Sequence, residues 1–276
     1  MSNISPKISV IISTYNSEEW LEKVLWSYQA QTFKDFEVVI ADDGSKQPTF
    51  QLIEDLKPKL SYPIKHVWHE DNGFQKSQIL NKAIVACKAD YILMSDGDCL
   101  ARADFIEVHM NHREKGYFLS GGYFMLPMAI SKLITKDNIL NQNCFDVNWL
   151  KERGLKSSFK NNKLTSTGIK SKFLNAITPT NASWNGHNSS GWKSDIVAIN
   201  GFDERMQYGG QDRELGERLF NLGIKSIQIR YSAVCLHLDH PRGYKTEESI
   251  KKNLGIRAVT KKEAKTWTEF GIEKSS

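Results

Sequence analysis

Apolar residues fall in short runs along the first third of the chain, each too short for a helix and each ending in polar or acidic residues. Residues 8–13 (Ile-Ser-Val-Ile-Ile-Ser) and 36–41 (Phe-Glu-Val-Val-Ile-Ala) read as strands, and 64–68 reads as a third, weaker one. Between them the period changes. Trp20, Leu21, Val24 and Leu25 follow a helix-start signal, Asn16 with Glu19 three residues later, and Ile79, Leu80, Ala83, Ile84 and Cys87 repeat at helical spacing over residues 76–88. That second helix leads into Tyr91-Ile92-Leu93-Met94-Ser95-Asp96-Gly97-Asp98, an apolar run that stops at two carboxylates. Strand-helix-strand crossovers of this kind predict an α/β fold with a mostly parallel central sheet flanked by helices. Ligands in such sheets bind beyond the carboxyl ends of the strands, so Asp96 and Asp98 point at the ligand.

The second half is less regular. A helix is expected over 104–112 and a strand over 117–125, broken by Gly121-Gly122. Residues 132–173 have weak periodicity, and Lys151, Arg153, Lys156, Lys160, Lys163, Lys170 and Lys172 face few acids there. The segment reads as a flexible, solvated basic insertion, with an acceptor-side lid or a patch for anionic lipid as the alternative. Residues 186–192 read as a polar loop and 196–199 as a short apolar stretch. Gly209-Gly210 then opens a helix that buries Leu215, Leu219 and Phe220 and ends at Gly223. A final strand pair, 226–229 and 233–236, runs into His237-Leu238-Asp239-His240-Pro241-Arg242, and the tail after Tyr244 is charged and partly helical. One domain over 1–276 is expected, with a ligand-binding half at 8–125, a second half at 126–242 and a charged tail at 243–276.

Composition adds limits rather than direction. With 40% hydrophobic and 25% charged residues, the 276-residue chain is an ordinary globular one. A net charge of +5, spread among nearly as many acids, leaves no nucleic-acid footprint but is compatible with an anionic ligand or membrane surface. Cys87, Cys99, Cys144 and Cys235 lack metal-site spacing, residues 1–7 lack a signal peptide's pattern, and no apolar stretch nears the roughly 18 residues of a spanning helix. Reduced thiols and a cytoplasmic location are expected.

Two carboxylates one residue apart at a buried strand end repel each other, and a divalent cation between them is the economical remedy; a solvated turn is the plainer reading. Oxygen ligands suit magnesium or manganese, and an added histidine, His237 or His240, would favour manganese. Asp42 and Asp43, at the end of the second strand, suit a ribose hydroxyl or base edge, or simply cap the turn at Gly44-Ser45. The loop after the first strand contains no glycine, which disfavours a dinucleotide fold. Asp212, at the start of a helix, is either a cap or a general base carried at a glycine-rich edge where a ligand can approach closely.

Five pieces occur in a familiar order: Val10 to Asn16, Phe36 to Ser45 ending Asp-Asp-Gly-Ser, the helix bearing Asn81, Asp96-Gly97-Asp98, and Asn200-Gly201-Phe202-Asp203-Glu204 before Gly209-Gly210-Gln211-Asp212. Together they resemble family 2 glycosyltransferases of the GT-A fold, and the last block resembles the galactosyltransferase-like region of chondroitin-polymerase-type modules. The resemblance implies a nucleotide diphosphate sugar donor, often a UDP-sugar, with Thr14, Tyr15, Asn16 and Asp42 or Asp43 around base and ribose. It gives Asp96, Gly97 and Asn81 to the donor site, Asp98 and His237 to Mn2+ or Mg2+ with His240 as the substitute, and the base role to Asp212, with inversion at the sugar carbon. Trp184, His187, Asn188, Trp192 and Gln211 are then expected on the acceptor side, facing a saccharide or lipid-linked saccharide in surface glycan assembly. A position at the cytoplasmic face of a membrane, with peripheral contact, goes with that expectation. Two departures stand out: Gln211-Asp212 where many relatives have Glu-Asp, and Leu80 where many have arginine, which leaves Lys76 as the candidate for the diphosphate. The rival readings are a nucleotidyltransferase and a non-catalytic sugar-nucleotide or glycan-binding protein.

Overall fold

The computed structural model describes residues 5–241 and 246–274; Arg242, Tyr244 and the chain ends at 1–4 and 275–276 lie outside the described residues. The first half follows the hydrophobic pattern closely. Strands β1 (Ile8–Thr14), β2 (Phe36–Asp42), β3 (Ile64–Trp68) and β4 (Tyr91–Asp96) alternate with helices α1 (Glu18–Gln29), α2 (Gln47–Leu56) and α3 (Lys76–Ala86). After β4 come β5 (Cys99–Ala101), α4 (Phe105–His112), β6 (Tyr117–Ser120), β7 (Gly122–Met125), β8 (Ser189–Trp192), β9 (Lys225–Gln228) and β10 (Val234–His237).

Seven strands form one sheet in the order β3-β2-β1-β4-β8-β6-β9, and β8 alone runs against the others. Alternate residues of β1 face opposite layers: Val10 and Ile12 pack in the cluster holding α1, Ile11 in the cluster holding α3. The register sets Thr14 beside Asp42 and Ser13 beside Asp96, so the carboxyl ends of β1, β2 and β4 finish level. A second sheet, β5-β10-β7, closes one side of that edge. The break at Gly121-Gly122 separates β6 in the large sheet from β7 in the small one. A Cβ at Gly121 would lie 2.2 Å from the Asn188 side chain, which explains the glycine there.

Four expectations are corrected. The polar loop at 186–192 contains β8, a buried strand between β4 and β6. Its serines are buried because their hydroxyls are satisfied, Ser190 Oγ pairing with Tyr91 Oη at 2.9 Å and His109 Nδ1 at 2.8 Å. Buried polar residues of this kind escape a hydrophobic pattern. The basic segment 132–173 is not a solvated insertion, since Ile134, Ile139, Cys144, Phe145, Leu150 and Leu164 are core residues packed with α1 and α4. The expected final strand pair does not pair: β9 joins β6, while β10 lies between β5 and β7.

The tail is a structural part rather than an appendage. Its helix Glu247–Lys262 packs on the helix Gln211–Asn221, and Asn200 Nδ2 donates to Thr268 O at 2.7 Å and Glu273 O at 2.9 Å. In the helix Gln211–Asn221, buried Arg218 pairs with Glu214 at 2.8 Å and donates to the carbonyls of Ile199 and Gly201. Removing one partner of such a buried pair costs about 3–5 kcal/mol.

Candidate active site

The level ends of β1, β2 and β4 open on a cleft of about 860 Å³ lined by Thr14, Asp43, Lys76, Asp96, Asp98 and Asp212. At its floor the Asp-Gly-Asp turn is pressed onto β1. Gly97 N donates to Ser13 O at 2.8 Å, and a Cβ at Gly97 would lie 2.9 Å from that oxygen. The turn sends its two carboxylates in different directions. Asp96 Oδ1 accepts from Ser13 Oγ and from Lys76 Nζ, each at 2.7 Å. Burial alone would raise the Asp96 pKa, but the Lys76 charge and hydrogen bond outweigh it and hold the carboxyl well below the ordinary range.

Asp98 faces two histidines. His240 Nε2 lies 2.8 Å from Asp98 Oδ2 and His237 Nε2 3.8 Å from Oδ1, with the two rings stacked at 5.4 Å. His237 Nδ1 is 2.7 Å from Leu238 O and His240 Nδ1 2.9 Å from Pro241 O. A carbonyl oxygen only accepts, so each Nδ1 carries its hydrogen and each Nε2 turns its lone pair toward Asp98 when the ring is neutral. A carboxylate and two Nε2 atoms so oriented fit a divalent cation, and backbone carbonyls on the far nitrogens are the usual support for histidine ligands. Cys99, whose sulfur lies near Asp98 and His237, is fully buried and its thiol is pushed well above the ordinary range, so it stays a neutral neighbour.

Asp212 lines the same cleft. Gly209 and Gly210 have φ of +108° and +93°, a left-handed pair that brings the chain sharply into the helix Gln211–Asn221. Gln211 Oε1 accepts from Gly209 N at 3.0 Å and braces the same turn. From the tail, the Asn253 amide donates to the carbonyls of Gln207, Tyr208 and Gly209 at 2.9, 3.2 and 2.9 Å. Asp212 itself lies against Gly186, where a Cβ would come within 3.1 Å of Oδ1, and Oδ1 is buried with no hydrogen-bond partner. Burial raises the Asp212 pKa to about 6, with the Lys76 charge opposing and the Asp96 charge adding to the rise. His187, at the junction of this cleft and a second basin, is lowered to about 4 by burial and is a neutral imidazole at physiological pH.

The structure gathers Thr14, Tyr15, Asn16, Asp43, Lys76, Asp96, Gly97, Asp98, His187, Gln211, Asp212, His237 and His240 around the cleft. Five expected site residues do not line this cleft. Asp42 turns inward to His66 Nε2 at 2.8 Å and Ser45 N at 2.8 Å, which holds the Asp-Asp-Gly-Ser turn. Asn81 is a clamp between α3 and the 200–204 turn, donating to Phe202 O and accepting from Phe202 N. Trp184 is fully buried against Phe118 and cannot stack on a sugar. Asn188 ties Gly122 O to Ala233 O inside the core, and Trp192 ends β8 with its Nε1 donating to Glu114 O. Asp42 takes up the turn-capping alternative offered by its local sequence, whereas the other four have partners from distant segments, which local sequence does not display.

Other cleft residues had no distinct signal. His69 Nε2 pairs with Asp43 Oδ1 at 2.8 Å, and Asp43 Oδ2 accepts from Gln75 N, so Asp43 is held rigidly at the rim. Phe74, Tyr208 and Tyr123 supply aromatic walls. A histidine just after the end of β3, three residues after His66 in that strand and beside an Asp-Asp pair, is the clue that could have found His69.

Comparison with known proteins places this geometry. The profile of Glycosyl transferase family 2 matches residues 9–146, half of the chain. An uncharacterized glycosyltransferase of Bacillus subtilis is 24% identical over 90% of this chain and 69% of its own length. The chondroitin synthase of Escherichia coli is 24% identical over 92% of this chain but only 38% of its own, so the chain spans well under half of that relative. Among solved structures, residues 1–349 of Staphylococcus aureus TarS with UDP-GlcNAc superpose with a TM-score of 0.59 at 16% identity, covering 92% of this chain and 66% of that one. A mannosyltransferase of Pyrobaculum calidifontis with GDP-Man and Mn2+ gives 0.56 at 16% identity, covering 93% and 70%. These two share the GT-A fold expected of this sequence, and on the profile match the chain belongs to glycosyl transferase family 2.

Proposed function

We propose that the chain transfers a hexose or N-acetylhexosamine, with inversion, from a nucleotide diphosphate sugar to a hydroxyl of a saccharide or lipid-linked saccharide. The observation that carries this reading is Asp212: a carboxylate that lines the same cleft as Asp96, Asp98 and Lys76, with one oxygen buried against Gly186 without a hydrogen-bond partner. UDP-GlcNAc and GDP-Man in the superposable structures support a nucleotide sugar as donor.

In this reading the base and ribose lie between Tyr15, Asn16 and Asp43, and the diphosphate lies by Lys76 and Asp98. Asp98 with His237 and His240 would hold Mn2+ or Mg2+, which would neutralise charge on the departing diphosphate. Asp212 takes the proton of the acceptor hydroxyl as its oxygen bonds to the anomeric carbon. The bond from that carbon to the diphosphate breaks on the opposite face, which gives inversion, and the nucleotide diphosphate leaves with its electron pair. An Asp212 pKa near 6 leaves the base ionised at neutral pH yet more basic than a free carboxylate.

Peripheral contact with an anionic membrane belongs to the same reading. Ile169, Phe173 and Ile177, four residues apart on the helix Gly168–Ile177, are 87, 60 and 56% exposed beside Lys170 and Lys172. Co-sedimentation with anionic vesicles that is lost in Phe173→Ser checks it. Among the described residues no helix is long and apolar enough to cross a membrane.

The test of the function is release of nucleotide diphosphate from a panel of UDP-, GDP- and dTDP-sugars with Mn2+. Release from one donor, accelerated by a saccharide acceptor, is expected; no release and no Mn2+-dependent thermal stabilisation by any donor would overturn the reading.

A further inference from the structure

A second basin, of about 1040 Å³, adjoins the donor cleft, and Tyr123, His187 and Asp212 line both. Its walls carry five cations, Lys156, Lys160, Lys163, Arg213 and Arg230, against one acid, Asp212. None of the five has a carboxylate within ion-pair distance among the described residues. Arg230 is folded over Gly122, where a Cβ would meet its Cγ at 2.9 Å, and its Nε is buried with no hydrogen-bond partner. Lys163 Nζ reaches one backbone oxygen, that of Tyr123, at 2.7 Å. Burial first, then the charges of Arg230 and Lys160, lowers the Lys163 pKa to about 8, which marks a cluster held together without a counter-charge.

Cations gathered without partners are unfavourable in the free protein, and the missing anion belongs to something that enters the basin. We propose that the acceptor is anionic: a saccharide or polyol chain bearing phosphate or carboxylate groups next to the hydroxyl presented to Asp212, with Lys160, Lys163 and Arg230 holding the anion. This rests on the glycosyl-transfer reading above and adds the class of acceptor to it. The lysines at 156–163 thereby gain a role on the acceptor side, where the sequence alone set a solvated segment against an acceptor-side lid or a patch for anionic lipid.

The test uses four acceptors built on one disaccharide: uncharged, ending in a hexuronate, carrying a phosphomonoester, and joined to a polyprenyl diphosphate. Transfer is followed by nucleotide diphosphate release, and binding of the uncharged and phosphorylated probes by calorimetry. A charged acceptor should exceed the uncharged one at least about tenfold in kcat/KM, the equivalent of one charge-assisted hydrogen bond. Arg230→Gln, and separately the exposed Lys160→Gln, should erase most of that preference by raising KM for the charged acceptor. Preference for the diphosphate-linked probe over the phosphomonoester identifies a lipid carrier as the source of charge, and the reverse identifies the glycan. Equal use of charged and uncharged acceptors, or a preference that both variants retain, overturns the proposal. Absence of donor turnover would instead contradict the transferase reading, and calorimetry then decides the basin by itself: phosphorylated disaccharide binding that Arg230→Gln abolishes supports it, and no binding contradicts it.

Discussion

Lys76 Nζ sits 2.7 Å from Asp96 Oδ1, so the first turn of α3 is fastened to the end of β4 by one charge-assisted hydrogen bond. Lys76 also faces Asp98 and Asp212, and these acids raise its pKa above the ordinary lysine value against the opposing effect of burial. Lys76 lines the cleft, and the proposed donor site sets the diphosphate beside it. Lys76→Met should weaken UDP binding, read by calorimetry, at least about tenfold, because a charge-assisted contact is lost and Asp96 is left without its counter-charge. Lys76→Arg should restore part of the affinity.

The tautomers fixed by Leu238 O and Pro241 O predict that both histidines bind metal through Nε2. Asp98→Asn should abolish the Mn2+-dependent part of the thermal shift caused by UDP. His237→Ala and His240→Ala should each lower Mn2+ affinity by about 10–100-fold, measured by Mn2+ titration. A variant at either position that titrates like wild type removes that histidine from the site.

The first half of the fold was legible because β1, β2 and β4 are largely apolar runs and the helices carry clean periodicity; 8–13, 36–41 and the weaker 64–68 became β1, β2 and β3 within one residue. The site was legible where a residue stands at a strand end or beside glycines, as with Asp96, Asp98 and Asp212. It failed where polar residues are buried for tertiary reasons. Asn81 and Asn188 read as ligand-binding amides, yet both spend their hydrogen bonds on groups far away in sequence, among them backbone 45 to 121 residues distant. Trp184 read as a sugar platform and is core. The tail read as uninformative because the carbonyls that Asn253 binds sit more than 40 residues upstream.

Asn253 therefore acts on the base from a distance. Asn253→Ala removes the donor to three carbonyls of the turn before Asp212. It should destabilise the fold by about 1–3 kcal/mol in urea unfolding, and lower kcat more than donor KM. Unchanged kcat with lowered stability would limit Asn253 to a structural role.

The raised Asp212 pKa fixes the sign of two pH effects. Transfer needs the ionised base, so kcat/KM should fall as pH drops through about 6. Stability runs the other way. The folded pKa lies above the unfolded value, so the protonated group favours the fold, and its ionisation costs stability as pH rises through about 6. Asp212→Asn should thus melt a few degrees above wild type at pH 8, with the difference shrinking below about pH 6 and closing only below about pH 4, the unfolded carboxylate value.

The same variant gives the most direct test of the base assignment. Asp212→Asn should bind UDP with Mn2+ within about threefold of wild type, while release of nucleotide diphosphate with donor and acceptor falls by about 10²–10⁴-fold. Turnover within a few fold of wild type, with UDP bound normally, would contradict the account.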